Sequence, residues 1–285
     1  MNSGNVDFLR QALPFINKFK GKIFVIKIGG DVAEERDHLN GFCEEVALCA
    51  QVGIQIVLVH GGGKQATDFS EKLGLKPVIV EGRRVTDDTA LDVVKMVFAG
   101  KINVEILSSL RRAGVRAVGL SGVDGNMLHA TRRPPQNVGG KIVDFGHVGD
   151  IGRVDVSLLR TLLAGDFLPV ISSLACDDEG NIFNINADTV ASKIAKAIEA
   201  EKLILVSDVD GILAEGKTLS RVSEAELRRL LEDGTISGGM RPKVAAAVEA
   251  LDVGVRSIHI INGMRPSTLL MEVFTDTGSG TMIVR

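Results

Sequence analysis

Alternation is the strongest constraint in this chain. Short apolar runs rich in β-branched residues (KIFVIKI, IQIVLV, VRAVGL, FLPVIS, KLILVS and RSIHII) are separated by longer amphipathic stretches. Their length and composition read as buried strands. Between them, Leu91, Val94 and Phe98 share one helical face, and Val244, Val248 and Leu251 share another. Such alternation predicts an α/β fold with a mostly parallel sheet and helices on both sides. Two segments depart from the rhythm. Gly122 to Ile151 is hairpin-like, with turn signals at Asp124-Gly125-Asn126 and from Asn137 to Gly140. Ahead of the first strand lies an additional helix carrying Phe8, Leu9, Ala12, Leu13, Ile16 and Phe19, which Pro14 is expected to bend or end. A polar turn, Asp177-Asp178-Glu179-Gly180, marks a boundary between two tightly joined lobes.

With 285 residues, 45% of them hydrophobic and 24% charged, the chain can bury a substantial core. A formal net charge of -3 gives no electrostatic case for nucleic acid or an anionic membrane. Cys43, Cys49 and Cys176 form no zinc spacing and leave an odd count, so they read as buried free thiols. The first residues, MNSGNVDFLRQALPFINKFK, lack the basic start and apolar centre of a signal peptide. No apolar run approaches the roughly 20 residues needed to cross a bilayer. A cytoplasmic location is expected.

The chemistry gathers at glycines. IVLVHGGGKQA, Ile56 to Ala66, ends a strand in a loop able to bring backbone N–H groups to an anion. Gly61, Gly63 and Ala66 fit the G-x-G-x-x-A form of the dinucleotide fingerprint, and Glu81 lies where a ribose-binding acid would fall. A hydride-transfer enzyme is therefore a rival reading. An oxyanion loop of a hydrolase is excluded, because Gly119-Leu120-Ser121-Gly122-Val123 lacks the last glycine of a nucleophile elbow. No G-x-x-x-x-G-K-[ST] P-loop is present either. A second glycine loop favours an anion cradle: Lys27 with Gly29 and Gly30 closes the preceding strand, and adjacent parallel strands open their loops on one shared edge. Downstream, NINAD (Asn184, Asn186, Asp188), SDVDGIL (Asp208, Asp210, Gly211, Leu213) and GGMRPK (Gly238, Gly239, Met240, Lys243) each stand at a strand end or helix start.

K-x-G-G, HGGG, GRRVTD, NINAD, SDVDGIL and GGMRPK occur in the order found in the amino acid kinase family, which the chain resembles from Lys22 to Arg285. Within it, the resemblance is to the arginine-inhibited enzymes that phosphorylate the side-chain carboxylate of N-acetyl-L-glutamate. It implies an open three-layer αβα sandwich of the amino acid kinase fold, preceded by an N-terminal oligomerisation helix (1–20). An acyl amino acid-binding lobe (21–176) and an ATP-binding and effector lobe (177–285) would follow. By resemblance, Lys27 and Lys243 would stabilise the transition state and Asp188 would orient them. Gly62 and Gly63 would face the reacting oxygens, Arg84 would hold the α-carboxylate, and Asn184 would bind the acylated amino acid. Gly29, Gly30, Asp208, Asp210, Gly211, Leu213, Gly238, Gly239 and Met240 would line the nucleotide. His259, Glu272 and Gly278 would form the arginine site. Mg²⁺ would arrive with ATP, with no protein side chain as metal ligand. The partners implied are ATP, N-acetyl-L-glutamate, inhibitory arginine and further copies of the chain in a dimer or hexamer. The alternatives are a kinase-like, non-catalytic arginine-sensing domain, or a related kinase with another acidic substrate.

Elementary chemistry agrees with that set of residues. A glutamate γ-carboxylate has a pKa near 4.3, so it is ionised at neutral pH and needs no general base. The difficulty is bringing it against a phosphoryl group that is also anionic, a task for positioned positive charge. Asp31, Lys64 and His147 depart from the residues frequent in the family at their positions.

Overall fold

The structure, a computed structural model, describes residues 3–214, 216–236 and 240–284, without the side chains of residues 3–9 and 242. Eight strands form the central sheet: β1 (Ile23–Ile28), β2 (Gln55–His60), β3 (Ala117–Ser121), β4 (Leu168–Ser172), β5 (Lys202–Ser207), β6 (Arg221–Ser223), β7 (Ser257–Asn262) and β8 (Thr281–Val284). Their spatial order is β6-β8-β7-β5-β1-β2-β4-β3. Pairing is parallel from β7 through to β3, and only the β7–β8 pair is antiparallel. The six apolar runs of the sequence are β1 to β5 and β7.

Period-two alternation on these strands serves two cores at once. Phe24, Ile26 and Ile28 of β1, with Ile56 and Leu58 of β2, face α1 (Ser3–Phe19), α2 (Gly30–Glu34), α3 (Arg36–Gln51), α5 (Asp88–Lys95), α6 (Asn103–Arg112) and α11 (Thr268–Phe274). Val25, Val57 and Val59 face α7 (Ser157–Ala164), α8 (Ala187–Ile198), α9 (Glu224–Glu232) and α10 (Met240–Asp252). Strands buried on both faces must be apolar at nearly every position, which is why they read as continuous runs. A smaller four-stranded sheet (Ile182–Asn184, Leu174–Cys176, Leu128–Arg132, Gly149–Val154) and the hairpin Gln136–Val138 with Lys141–Val143 come mainly from the hairpin-like segment. Asp177 closes the turn after Cys176, its Oδ1 accepting from the backbone N–H groups of Glu179 and Asn181.

Pro14 does not end α1, which runs through it to Phe19. The lost N–H removes one bond, while Phe19, 2% exposed, anchors the last turn edge-on against Phe24 with ring centroids 5.2 Å apart. Among the described residues no helix is long and apolar enough to cross a membrane.

One buried carboxylate ties an early helix of the chain to a late one. Glu45 of α3 accepts the N–H groups of Ser267 (2.7 Å), Leu269 (2.9 Å) and Leu270 (3.3 Å), acting as a remote cap for the seven-residue α11. Burial pushes its carboxyl above the usual range, against the pull of those three donors. Glu45→Ala would leave the donors unpaired and is expected to lower unfolding free energy by about 3 kcal/mol, measured by urea titration.

Candidate functional site

The register sets the site. Ile28 lies level with His60, and His60 with Ser172, so the loops after β1, β2 and β4 open on one edge. β1 has β2 on one side and β5 on the other, which makes it the switch point where open α/β sheets bind ligands. The loop after β1 enters α2 at Gly30, and the loop after β2 enters α4 (Gly63–Lys72). Gln65 of α4 joins them, its Nε2 donating to the Gly30 carbonyl at 2.7 Å.

Lys27 occupies the last inward position of β1 on the α8 side, where only its tip can reach the edge. Its Nζ lies 2.9 Å from Asp188 Oδ1, with 18% and 23% of the two side chains exposed. Asp188 is placed by the start of α8, where Asn186 Oδ1 accepts the N–H groups of Asp188 (2.8 Å) and Thr189 (3.1 Å). Lys243, from the first turn of α10, is hydrogen-bonded to Asp208 rather than to Asp188. That bond from Lys243 is the main reason the Asp208 carboxyl is held below its ordinary range. Asp210 is gripped by Asn262 Nδ2 (2.7 Å) and the Arg265 guanidinium (2.7 Å). Gly211 follows in the same loop, and Leu213 begins a short strand pair with 217–218. Met240 opens α10; Gly238 and Gly239 lie outside the described residues.

On the other side of the glycine loops, Arg84 Nη2 donates to Gly63 O (2.8 Å) and Thr67 Oγ1 (2.5 Å), and burial lowers its pKa. Asn184 Nδ2 donates to the buried Thr86 Oγ1 at 3.2 Å. His147 lies beside them, its Nε2 2.6 Å from Asp88 Oδ1. Two unusual residues of the sequence turn out to be neighbours: Lys64 Nζ is 2.5 Å from Glu34 Oε2 and 3.8 Å from Asp31 Oδ1, bridging α4 to α2. Among the described residues no group of three or more His, Cys, Asp or Glu side chains could hold a metal ion.

His259, Glu272 and Gly278 gather at the opposite end of β7. His259 Nδ1 is 2.5 Å from Glu272 Oε1, and the backbone N–H groups of Ser279 (2.7 Å) and Gly280 (3.0 Å), just after Gly278, donate to Oε2. Burial would push the Glu272 carboxyl up, but these donors outweigh it and hold the pKa at about 2. Burial also lowers the His259 pKa, against the upward pull of its hydrogen bond to Glu272. Lys202 shares this pocket, its Nζ 5.0 Å from the Phe19 ring centroid, with a pKa lowered by burial to about 8. Sequence reasoning missed Lys202, since a lysine opening a strand reads as solvated.

Sequence reasoning also missed the support beneath the second glycine loop. α5 passes through a π-helical stretch, Met96–Ile102, into α6. Phe98 and Ile102 of that stretch press under Gly62, where a Cβ would lie 2.1 Å from Ile102 Cδ1. The next residue, Asn103, sends its amide into the core between His60 and the Val170 carbonyl, Nδ2 lying 3.1 Å from each acceptor. Burial pushes the His60 imidazole down to about 4.

Residues 22–262 match the amino acid kinase family, and the chain belongs to that family. It is similar to an acetylglutamate kinase of Methanocaldococcus jannaschii, 47% identical over 98% of this chain and 96% of that one. An acetylglutamate kinase of Campylobacter curvus is also 47% identical, over 95% of each chain. Among solved structures, the N-acetylglutamate synthase from Neisseria gonorrhoeae complexed with coenzyme A and N-acetyl-glutamate is similar at a TM-score of 0.86 and 30% identity. That likeness covers 98% of this chain and 63% of the synthase.

The depressed His60 pKa has a consequence for stability. The unfolded chain protonates this ring near pH 6.5, the folded chain only near pH 4. Stability is therefore full above about pH 6.5 and falls as pH drops toward 4. Relative to a His60→Asn variant, the loss over that window is expected to be about 3 kcal/mol, read from urea unfolding at several pH values.

Proposed function

We propose that this chain transfers the γ-phosphoryl group of ATP to the side-chain carboxylate of N-acetyl-L-glutamate, forming N-acetylglutamyl 5-phosphate in arginine biosynthesis. The observation that carries the reading is the Lys27–Asp188 pair at the mouth of two glycine loops, in a chain 47% identical to acetylglutamate kinases. The acceptor is ionised without help, so the protein's work is to align two anions and neutralise the charge between them. Asp188 holds the Lys27 ammonium against the transferred group. Lys243 reaches the same group from the other lobe, and Asp208 keeps it over the nucleotide loop. N–H groups of Gly62 and Gly63 at the start of α4 face the reacting oxygens.

Arg84 uses Nη2 within the fold, which leaves Nη1 and Nε for the α-carboxylate. Asn184 takes the acylated amino group. Residues 21–176 hold the acyl amino acid, and 177–285 hold ATP through Asp208, Asp210, Gly211, Leu213, Gly238, Gly239 and Met240, with Gly29 and Gly30 contributed from the first lobe. Asp188 and Asp208 are each matched to a lysine, so neither is free as a metal ligand, and Mg²⁺ would arrive with the nucleotide. The ion would supply further screening of the phosphate charge. Arginine is the inhibitor: the ionised Glu272 carboxylate, with His259 and the turn at Gly278, offers a partner for a guanidinium. The α1 helix joins copies of the chain into a dimer or hexamer.

A second reading, a non-catalytic arginine-sensing domain, is supported by the likeness, at a TM-score of 0.82 and 29% identity, to the N-acetylglutamate synthase from Neisseria gonorrhoeae complexed with coenzyme A and L-arginine. It gives no task to Lys27, Lys243 and Asp188 together. Measured ADP release separates the two. With Mg-ATP, N-acetylglutamate is expected to be turned over well above glutamate, aspartate or UMP, and millimolar arginine to suppress the rate. Absence of turnover on N-acetylglutamate sinks the kinase reading. Lys243→Ala is expected to lower kcat by about a hundredfold or more, roughly 3 kcal/mol of transition-state stabilisation; a near-normal rate removes Lys243 from the mechanism.

A further inference from the structure

We propose that His60 and Asn103 are positioning residues that lock the peptide between Gly61 and Gly62 with its N–H directed at the transferred phosphoryl group. The inference rests on the kinase reading for what the N–H meets, but the lock itself follows from the hydrogen bonds. His60 is 1% exposed, at the end of β2 beneath the loop. Its Nδ1 lies 2.9 Å from the Gly61 carbonyl oxygen, which can only accept, so Nδ1 carries the proton. Nε2 is then the acceptor, and Asn103 Nδ2 supplies the donor at 3.1 Å. The orientation of the Asn103 amide is set independently, because the same nitrogen donates to the Val170 carbonyl. Gly119 leaves room for it: a Cβ there would stand 2.0 Å from Asn103 Oδ1.

A trans peptide is planar, and its carbonyl and N–H point to opposite sides. Holding the Gly61 carbonyl down onto His60 therefore turns the Gly62 N–H up and out of the core. Ile102 and Phe98 close the remaining freedom, since they fill the space on which Gly62 would otherwise settle. A π-helical stretch places Phe98, Ile102 and Asn103 together under one loop, and such stretches recur at functional sites. If the peptide flipped, a carbonyl oxygen would face the phosphoryl oxygens and repel them. Removing one preorganised donor of this type costs about a hundredfold or more in other enzymes; loosening it should cost less.

The test combines rates with the state of the ring. In the full-length chain, His60→Phe keeps the ring volume and removes both nitrogens. It is expected to lower kcat on N-acetylglutamate about tenfold or more, with KM for either substrate changed by less than about threefold. His60→Asn keeps a nitrogen donor near the Nδ1 position and is expected to restore kcat to within about threefold of the starting enzyme. A folded His60→Phe protein with kcat within about twofold of wild type overturns the proposal, as does an Asn variant as slow as the Phe variant. Nitrogen-15 chemical shifts of the His60 ring in the wild-type protein at neutral pH provide the readout that needs no variant. A neutral ring protonated at Nδ1 supports the lock, and a ring protonated at Nε2 overturns it. Failure of the wild-type chain to turn over N-acetylglutamate would overturn the kinase reading alone, because the ring shifts report the lock without any turnover.

Discussion

An ammonium group on the inward face of the middle strand of an eight-stranded sheet needs a counter-charge, and Lys27 finds it in Asp188. That requirement organises much of the molecule. It draws the first turn of α8 against the end of β1, and Asn186 satisfies the N–H groups exposed where α8 begins. The β1–β2 register brings their loops to the same edge, where Gln65 and Lys64 of α4 join them to Gly30 and Glu34. A cation fixed beside the N-termini of two helices is a place where anionic oxygens are welcome.

The same strands connect this edge to a second charged pocket. β7 carries Asn262 at one end, holding Asp210 of the loop after β5, and His259 nearer the other, bonded to Glu272. α11 spans the same interval: Thr268 Oγ1 donates to the Asn262 carbonyl at 2.7 Å, and Glu272 sits one turn further on. Glu45 of α3 caps that short helix. The arginine site proposed at Glu272 and the nucleotide loop proposed at Asp210 are thus mounted on one strand and one helix.

The strands were legible because burial on both faces demands apolar residues at nearly every position. β6 escaped notice because Arg221–Ser223 is short and polar at both ends, and β8 because Thr281–Val284 is only four residues long. Pro14 was legible as a helix-breaking residue, yet packing of Phe19 on Phe24 keeps the last turn of α1 in place beyond it. Within the site, Lys27 and Asp188 could be named from their motifs. The partner of Lys243 could not, because Asp208 and Asp188 stand in equivalent positions after strand or loop, and only the path of α10 separates them. Asn103 had no local signal at all: its neighbours read as an ordinary amphipathic helix.

By itself the sequence determined the layer architecture, the edge at which chemistry gathers, and the residue types available there. These depend on short-range periodicity and on glycines whose spacing is local. Only the tertiary structure decided which charges pair, which ring nitrogen of His60 carries the proton, and that Lys64 answers Glu34 and Asp31. Those outcomes are set by distances of a few ångströms between groups as far apart in the chain as His60 and Asn103. Burial decides them too: it lowers His60 and Lys202 and leaves Glu272 charged only where N–H donors compensate.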